Sequence, residues 1–457
     1  MPTFVDADSL AQQVCGPVFL PGDEGFAAEI FAWNVATVHQ PAVVVGATDA
    51  GDVAAAVRWA ARHELPVAIQ ATGHGQYTPA AGGLLITTRR MAAVSIDPVA
   101  KTARIEAGAR WAQVIEAGAR YGLAPLNGSS PLVGAVGYTL GGGLSVIARS
   151  YGFAADHVRA FTVVTADGLV RTVDAVTEPD LFWALRGAGK ANFGVVTEMV
   201  VDLVAVTRLY GGGIFFPASA AAHVLHAFRT WSATLTEQTS TSIAMLRLPD
   251  LPQLPEPLRG QFVVHLRLAH LGSAAEGEQI VAPMRAVAPA LIDTVAEMNY
   301  TQVGEIHADP VDPMPAYDSG AVLKNLPAEA IDALLAAAGP QVNVPLAMVE
   351  LRLLGGAIAG PPAVPNAVSG RHGAYSLLAI GPLAPGLEQV VPAVVASVLD
   401  AMEPFTSTEA LANFTGAATA NGVPFAAWSE ADRDRLLEIK KQYDPSGLFQ
   451  AGSASSH

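Results

Sequence analysis

Between Gly128 and Gly143 the sequence GSSPLVGAVGYTLGGG carries six glycines. Each glycine loses more backbone freedom on folding than another residue would, so packing alone gives no reason to keep so many in a strand or helix. A chain of this kind must use bare backbone, either for close approach of another group or for peptide N–H groups that grip an anion. No G-x-G-x-x-G opens a helix here and no G-x-x-x-x-G-K-[ST] is present, so neither a Rossmann fold nor a P-loop is supported. A plain glycine-rich turn region stays open.

Composition narrows the partners. The 457 residues are 51% hydrophobic, enough for a large core and more than one ordinary domain. Against 41 acidic residues stand 26 basic ones, net −15, without a lysine or arginine block, which argues against nucleic acid and anionic membranes. No apolar run approaches the ~20 residues that span a bilayer, and the first residues show no secretory pattern. One cysteine, Cys15, excludes internal disulfides and any zinc site built on two thiolates. The expectation is a cytoplasmic protein with no metal, its oligomeric state left open.

Along the chain, VVVGA at 43–47 reads as a strand. A helix follows, with Thr48 or Asp49 as cap and Val53 and Val57 on its inner face, and LPVAIQA returns as a second strand. Short strands follow to about residue 106, then a helix at WAQVIEAGARYG. VRAFTVVTADGLVRTVDA reads as a hairpin in which Asp167-Gly168 supplies the positive φ values of the turn. EPDLFWALRGA is a helix opened by Pro179, and FGVVTEMVVDLV a buried strand. From about Val206 the texture changes to proline clusters and long amphipathic helices, and the last 50 or so residues are helical again.

Two further glycine motifs accompany the first. QATGHGQ ends a strand and frames His74 with Gly73 and Gly75; a solvated imidazole in a turn is the plain alternative. DLFWALRGAGKANFGVVTEM places Gly189 and Gly194 in a loop before Val196 and its strand.

With VGYTLGGG…YGFAADHV between them and NFTG…KKQYDPSGLF at the end, these motifs make the chain resemble the berberine-bridge-enzyme-like flavoproteins of the vanillyl-alcohol oxidase superfamily. The resemblance implies an α+β, two-domain PCMH-type FAD-binding fold with an inserted antiparallel-sheet substrate domain. Residues 1–205 and 405–457 would form the FAD part, and 206–404 the insert. It implies FAD joined covalently to the residue matching the family's loop histidine, His74. The family's second link uses a cysteine that Ser130 replaces here, so a single bond is expected. Backbone contacts to FAD are expected from Gly73, Gly75, Gly137, Gly141, Gly142, Gly189 and Gly194 to Val196, supplemented by Thr72, Gln76 and Asn413. Gln70, Ala71 and Thr72 replace the family's arginine, serine and first glycine. Val133 falls where the family controls oxygen access, and valine there resembles the oxygen-reactive members.

The implied activity is oxidation of a small molecule at an alcohol or amine carbon, with hydride transfer to flavin N5 and O2 as acceptor. A dehydrogenase with another acceptor and a flavoprotein that sequesters its ligand are the alternatives. The family's Tyr-x-Asn-Tyr segment is Leu411, Ala412, Asn413, Phe414 here, so no tyrosine base stands at that place. Alternation puts Glu350 and Arg352 on one face of a strand, either at the substrate or as a water-facing ion pair. His307, His372 and Tyr375 are further candidates, structural roles being the plainer reading. Asp156 reads as a turn carboxylate, and Phe182, Trp183 and Trp428 as core. The hydrophobic, weakly charged character favours a neutral or aromatic substrate over a polyanion.

Overall fold

Val43–Gly46 is buried along its whole length, and it pairs in parallel with Leu84–Thr87, which pairs in parallel with Val67–Gln70. Val18–Phe19 closes the other edge antiparallel. These contacts come from a computed structural model describing residues 7–75, 79–416 and 425–449. The crossover helix Ala50–Arg62 starts at Asp49, whose carboxylate accepts the Asp52 N–H at 2.9 Å, and buries Val53, Val57 and Trp59.

A second sheet of five antiparallel strands runs in the order Val94–Asp97, Thr102–Glu106, Val195–Asp202, Val158–Val164, Val170–Asp174. In its hairpin only Gly168 takes a positive φ, +72°. Asp167 stays outside the left-handed region and works through its carboxylate, accepting the Leu169 N–H at 3.1 Å and the Thr165 hydroxyl at 2.7 Å. The turn therefore needs one left-handed residue where the sequence suggested two.

The third sheet is drawn from residues 208–382 and has eight strands, all antiparallel, with Met348–Leu353 in its interior between Thr239–Arg247 and Tyr375–Pro382. One face is covered by helices Ala221–Ser232, Ala274–Arg285, Ala328–Ala338 and Val390–Met402. Val224, Phe228, Ile331 and Val395 pack there against Ile243, Leu266, Val349 and Leu377. Each such fully buried side chain is worth about 1.5–3 kcal/mol. Because strand residues alternate, Ser242, Arg267, Glu350 and Arg352 lie on the opposite face. The closing helix Glu430–Tyr443 packs against Pro179–Ala188, and the Val67 N–H donates to the Leu448 carbonyl at 2.9 Å. The ordering matches the expected α+β fold with an antiparallel insert backed by helices.

Among the described residues no helix is long and apolar enough to cross a membrane, and no group of three or more His, Cys, Asp or Glu side chains is placed to hold a metal.

Candidate active site

The loop leaving Val67–Gln70 is pinned from behind. The Trp33 N–H donates to Thr72 O at 3.0 Å and the Asn34 N–H to Gly73 O at 3.1 Å. Gly73 has φ +73°, and a Cβ there would lie 2.6 Å from the Ala32 Cβ, so this position admits only glycine. Its bareness thus serves the approach of the protein's own backbone. His74 Nδ1 and Thr72 Oγ1 are 2.8 Å apart, and Thr72 Oγ1 also accepts the Gly134 N–H at 3.4 Å, tying this loop to the glycine-rich run. Trp33 covers the imidazole, with ring centroids 4.6 Å apart. His74 Nε2 is left buried without a partner among the described residues. Burial, with the charge of Arg110, holds the His74 pKa down to about 4, so the ring is neutral at pH 7. Gln76 lies outside the described residues.

In the glycine-rich run, the glycines also make room for a ring. Cβ atoms on Gly128 and Gly143 would come within 2.8 Å and 2.5 Å of the Tyr138 ring, whose hydroxyl is buried without a partner. Gly137 faces open space, whereas a Cβ on Gly142 would meet Val368 at 3.3 Å. At Gly141 a Cβ would strike Asn413 Oδ1 at 2.1 Å; Asn413 donates through Nδ2 to Tyr138 O at 2.8 Å, and its Oδ1 has no partner among the described residues. Gly189 and Gly194 are crowded by Leu185 O and Val164 O, so their lack of side chains is already explained by packing. Val196 lies in the core of the five-stranded sheet, and half-buried Val133 packs on the same core.

Sequence reading missed Lys190. Its half-buried ammonium has no hydrogen-bond or ion-pair partner among the described residues. Its Nζ is 3.6 Å from where a Gly75 Cβ would stand, and its Cε 2.7 Å from a Gly141 Cβ. Burial pulls its pKa down to about 8 against the opposing pull of Asp318. The histidine loop itself carries no arginine, and Lys190 brings a cation beside it, next to Gly75. A lone lysine inside GAGKANFG was the available signal.

On the insert sheet's face away from its helices, Glu350 is 1% exposed, which rules out the water-facing ion pair. Its carboxylate accepts from Arg267 Nη1 at 2.7 Å and Arg352 Nη2 at 2.9 Å. Burial raises its pKa, but Arg352 and Arg267 outweigh that and hold it below the ordinary carboxylate value. Register explains the cluster: Arg267 stands opposite Ser242, and Ser242 opposite Arg352, in one cross-strand row. His307 Nε2 is 3.7 Å from Glu350 Oε1, and neither ring nitrogen has a hydrogen-bond partner. Burial and the two arginines push its pKa well below the usual histidine value. Ser242, Arg267, His307 and Arg352 line a narrow cleft of about 20 Å³ whose other wall is Leu144 to Val146 and Ala148, directly after the glycine run; Glu350 bonds two of them without lining it. Arg352 also lies 5.3 Å over the Phe414 ring, next to Asn413.

The remaining candidates fall elsewhere. His372 is exposed, Tyr375 bonds to Ser232 Oγ at 2.7 Å inside the insert's core, and Asp156 accepts from the Phe153 N–H and pairs with Arg371 as a turn carboxylate. Phe182 and Trp183 are core. Ser130 caps its own turn, its Oγ accepting the Leu132 N–H at 3.3 Å, and Cys15 is exposed in the amino-terminal segment.

Comparison with known proteins bears on this geometry. The FAD binding domain family matches residues 41–174. (R)-6-hydroxynicotine oxidase of Paenarthrobacter nicotinovorans is 31% identical over 306 residues, 64% of this chain and 63% of that protein, so the match spans less than two thirds of the relative's length. The crystal structure of 6-hydroxy-D-nicotine oxidase from Arthrobacter nicotinovorans superposes with TM-score 0.82 at 26% identity, covering 96% of this chain and 97% of that one. Berberine bridge enzyme from Eschscholzia californica shares the fold, with TM-score 0.81 at 17% identity and 98% of each chain covered.

The donor set fits FAD. Buried orphan groups at His74 Nε2, Tyr138 OH and Asn413 Oδ1, a bare Gly137 and an unpaired ammonium at Lys190 suit a polar-edged ring system with an anionic diphosphate.

Proposed function

We propose, for a chain that is a homologue of 6-hydroxynicotine oxidase with the fold of the berberine-bridge-enzyme-like FAD oxidoreductases, that it is an oxidase of a small organic substrate with FAD linked covalently through His74 alone. The observation that carries the reading is the His74 imidazole: neutral, oriented by Thr72, stacked under Trp33, and presenting one unpartnered buried nitrogen beside the glycine run. Thr72, Gly73, Gly75, Gly137, Gly141 and Gly142 would hold the flavin, with Asn413 at its edge and Lys190 toward its negative charge. Gly189, Gly194 and Val196 would contribute backbone only. When bound, the flavin supplies the two-electron acceptor at N5 and is reoxidised by O2.

The chain's own residues have three tasks. The cleft next to the glycine run, about 20 Å³, receives one polar group of the substrate. Arg352 orients it, and Glu350 with Arg267 fixes Arg352, since two guanidinium groups and one carboxylate lock each other in place. A proton must leave the alcohol or amine nitrogen when its carbon is oxidised, and His307 is placed to take it. Glu350 is a poor base, because both arginines favour its ionised form.

Anaerobic mixing with a panel of alcohols and amines tests the reading. Bleaching of the flavin followed by hydrogen peroxide formation in air supports an oxidase. Bleaching without peroxide would point to a dehydrogenase, and no bleaching by any compound to a sequestering flavoprotein.

A further inference from the structure

We infer that the substrate of this cleft carries a carboxylate, held against Arg352; the inference rests on the oxidoreductase reading for the identity of the site. Arg149, Arg267 and Arg352 line the cleft, and among the described residues the carboxylate paired with Arg267 and Arg352 is Glu350. Arg149 is met by the backbone carbonyls of Leu235 and Thr236 at 3.0 and 3.2 Å. Arg267 and Arg352 share Glu350, so two positive charges face one negative charge and one remains. His265 and His307 add none, because burial keeps both imidazoles neutral. The other carboxylates acting on these arginines are Glu237 and Asp309, the first exposed and the second half-exposed in water.

A buried charge without a partner is costly, and an anion entering the cleft removes that cost. The free hydrogen-bonding groups agree. Arg352 Nε–H and both ring nitrogens of His307 are buried without hydrogen-bond partners among the described residues, and both residues line the cleft. His307 is 8% exposed. A hydroxyl would satisfy one of these donors but would leave the charge, and an ammonium would be repelled. Leu144, Ile306, Leu353 and Ile358 add apolar lining and Ser145, Ser240 and Thr241 polar lining around a space of about 20 Å³. The group that enters is therefore one carboxylate, with the body of the ligand outside this space. Composition favoured a neutral or aromatic substrate over a polyanion; the local charge comes instead from Arg267 and Arg352 on two strands and Arg149 on a helix brought beside them.

The test is calorimetric titration of flavin-loaded protein with benzoate, phenylacetate and hexanoate, each beside its amide. At least one acid is expected to bind ten-fold or more tightly than its amide, and Arg352→Met to abolish that preference while the amide's affinity stays within three-fold. Arg352→Lys should retain part of it. Loaded protein that binds every amide as tightly as its acid, or binds neither class, overturns the carboxylate inference alone. The flavin absorbance of the same samples separates the two levels: a folded protein that takes up no FAD removes the oxidoreductase reading and this inference with it.

Discussion

Trp33 and His74 stack with ring centroids 4.6 Å apart and planes 13° from parallel. One face of the imidazole is thereby covered, Nδ1 is occupied by Thr72, and Nε2 is the edge left for a bond. His74→Ala should give a protein that still takes up FAD but releases all of it on acid precipitation, with loss of the fluorescent band on a denaturing gel. Trp33→Ala should slow the appearance of that band without removing it, since the ring only positions the nucleophile. A fluorescent band that persists in His74→Ala would place the linkage elsewhere.

Much of this site was legible in the sequence because its signals are local. The two glycines framing His74 and the two-residue alternation of Glu350 and Arg352 are read from a few neighbours. What was hidden depends on pairing across long separations. Arg267 is 83 residues from Glu350, and Ser242 joins the row only because its strand lies between those of Arg267 and Arg352. Glycines 128 and 143 pointed to an anion, yet what occupies the space beside them is the Tyr138 ring. Asp167-Gly168 likewise looked like a two-residue left-handed turn, and the aspartate side chain replaced half of that geometry.

Lys190 carries a pH signature. Its pKa falls from 10.5 to about 8 in the folded chain, so folding disfavours its charged form. Below about pH 8 the lysine is charged in both folded and unfolded chains and the full penalty applies; from about 8 to 10.5 the folded chain sheds the proton first and the penalty recedes. Flavin-free protein should therefore gain about 1–3 kcal/mol from this group as pH rises through that window. Denaturant melts at pH 7.5 and 10 should show the gain, and Lys190→Met should lack it. FAD should flatten it by supplying a negative partner, and Lys190→Met should bind FAD more weakly.

Val133 sits half-buried on the turn after Ser130, its carbonyl accepting the Trp111 N–H at 3.1 Å, so its backbone is fixed and a larger side chain must extend outward. If this position admits oxygen, Val133→Leu should slow reoxidation of the reduced protein about ten-fold, about 1.4 kcal/mol of barrier. Stopped-flow reduction by substrate should be unchanged. Equal slowing of both half-reactions would indicate general distortion of the site instead.

The proton acceptor can be identified by elimination within the cleft. Glu350 is held ionised by two arginines, and the Tyr138 hydroxyl is kept protonated by burial far above its ordinary range. His307 is 8% exposed and, unlike Glu350, has no hydrogen-bond partner at its acceptor nitrogens among the described residues, so it is the group free to receive a proton, against the opposing effect of burial and the two arginines. His307→Gln should lower kcat about 10²- to 10³-fold, within the usual reach of a general base, while calorimetric binding of an acid ligand changes much less. The sign of the pH dependence follows from its environment. Because burial, Arg267 and Arg352 push the His307 pKa well below 6.5, the imidazole stays unprotonated as pH falls through 6.5, and the acid limb of kcat/KM should lie below that value. In His307→Gln this limb should disappear from the residual activity. An acid limb that stays in place in the variant would transfer the role to another group.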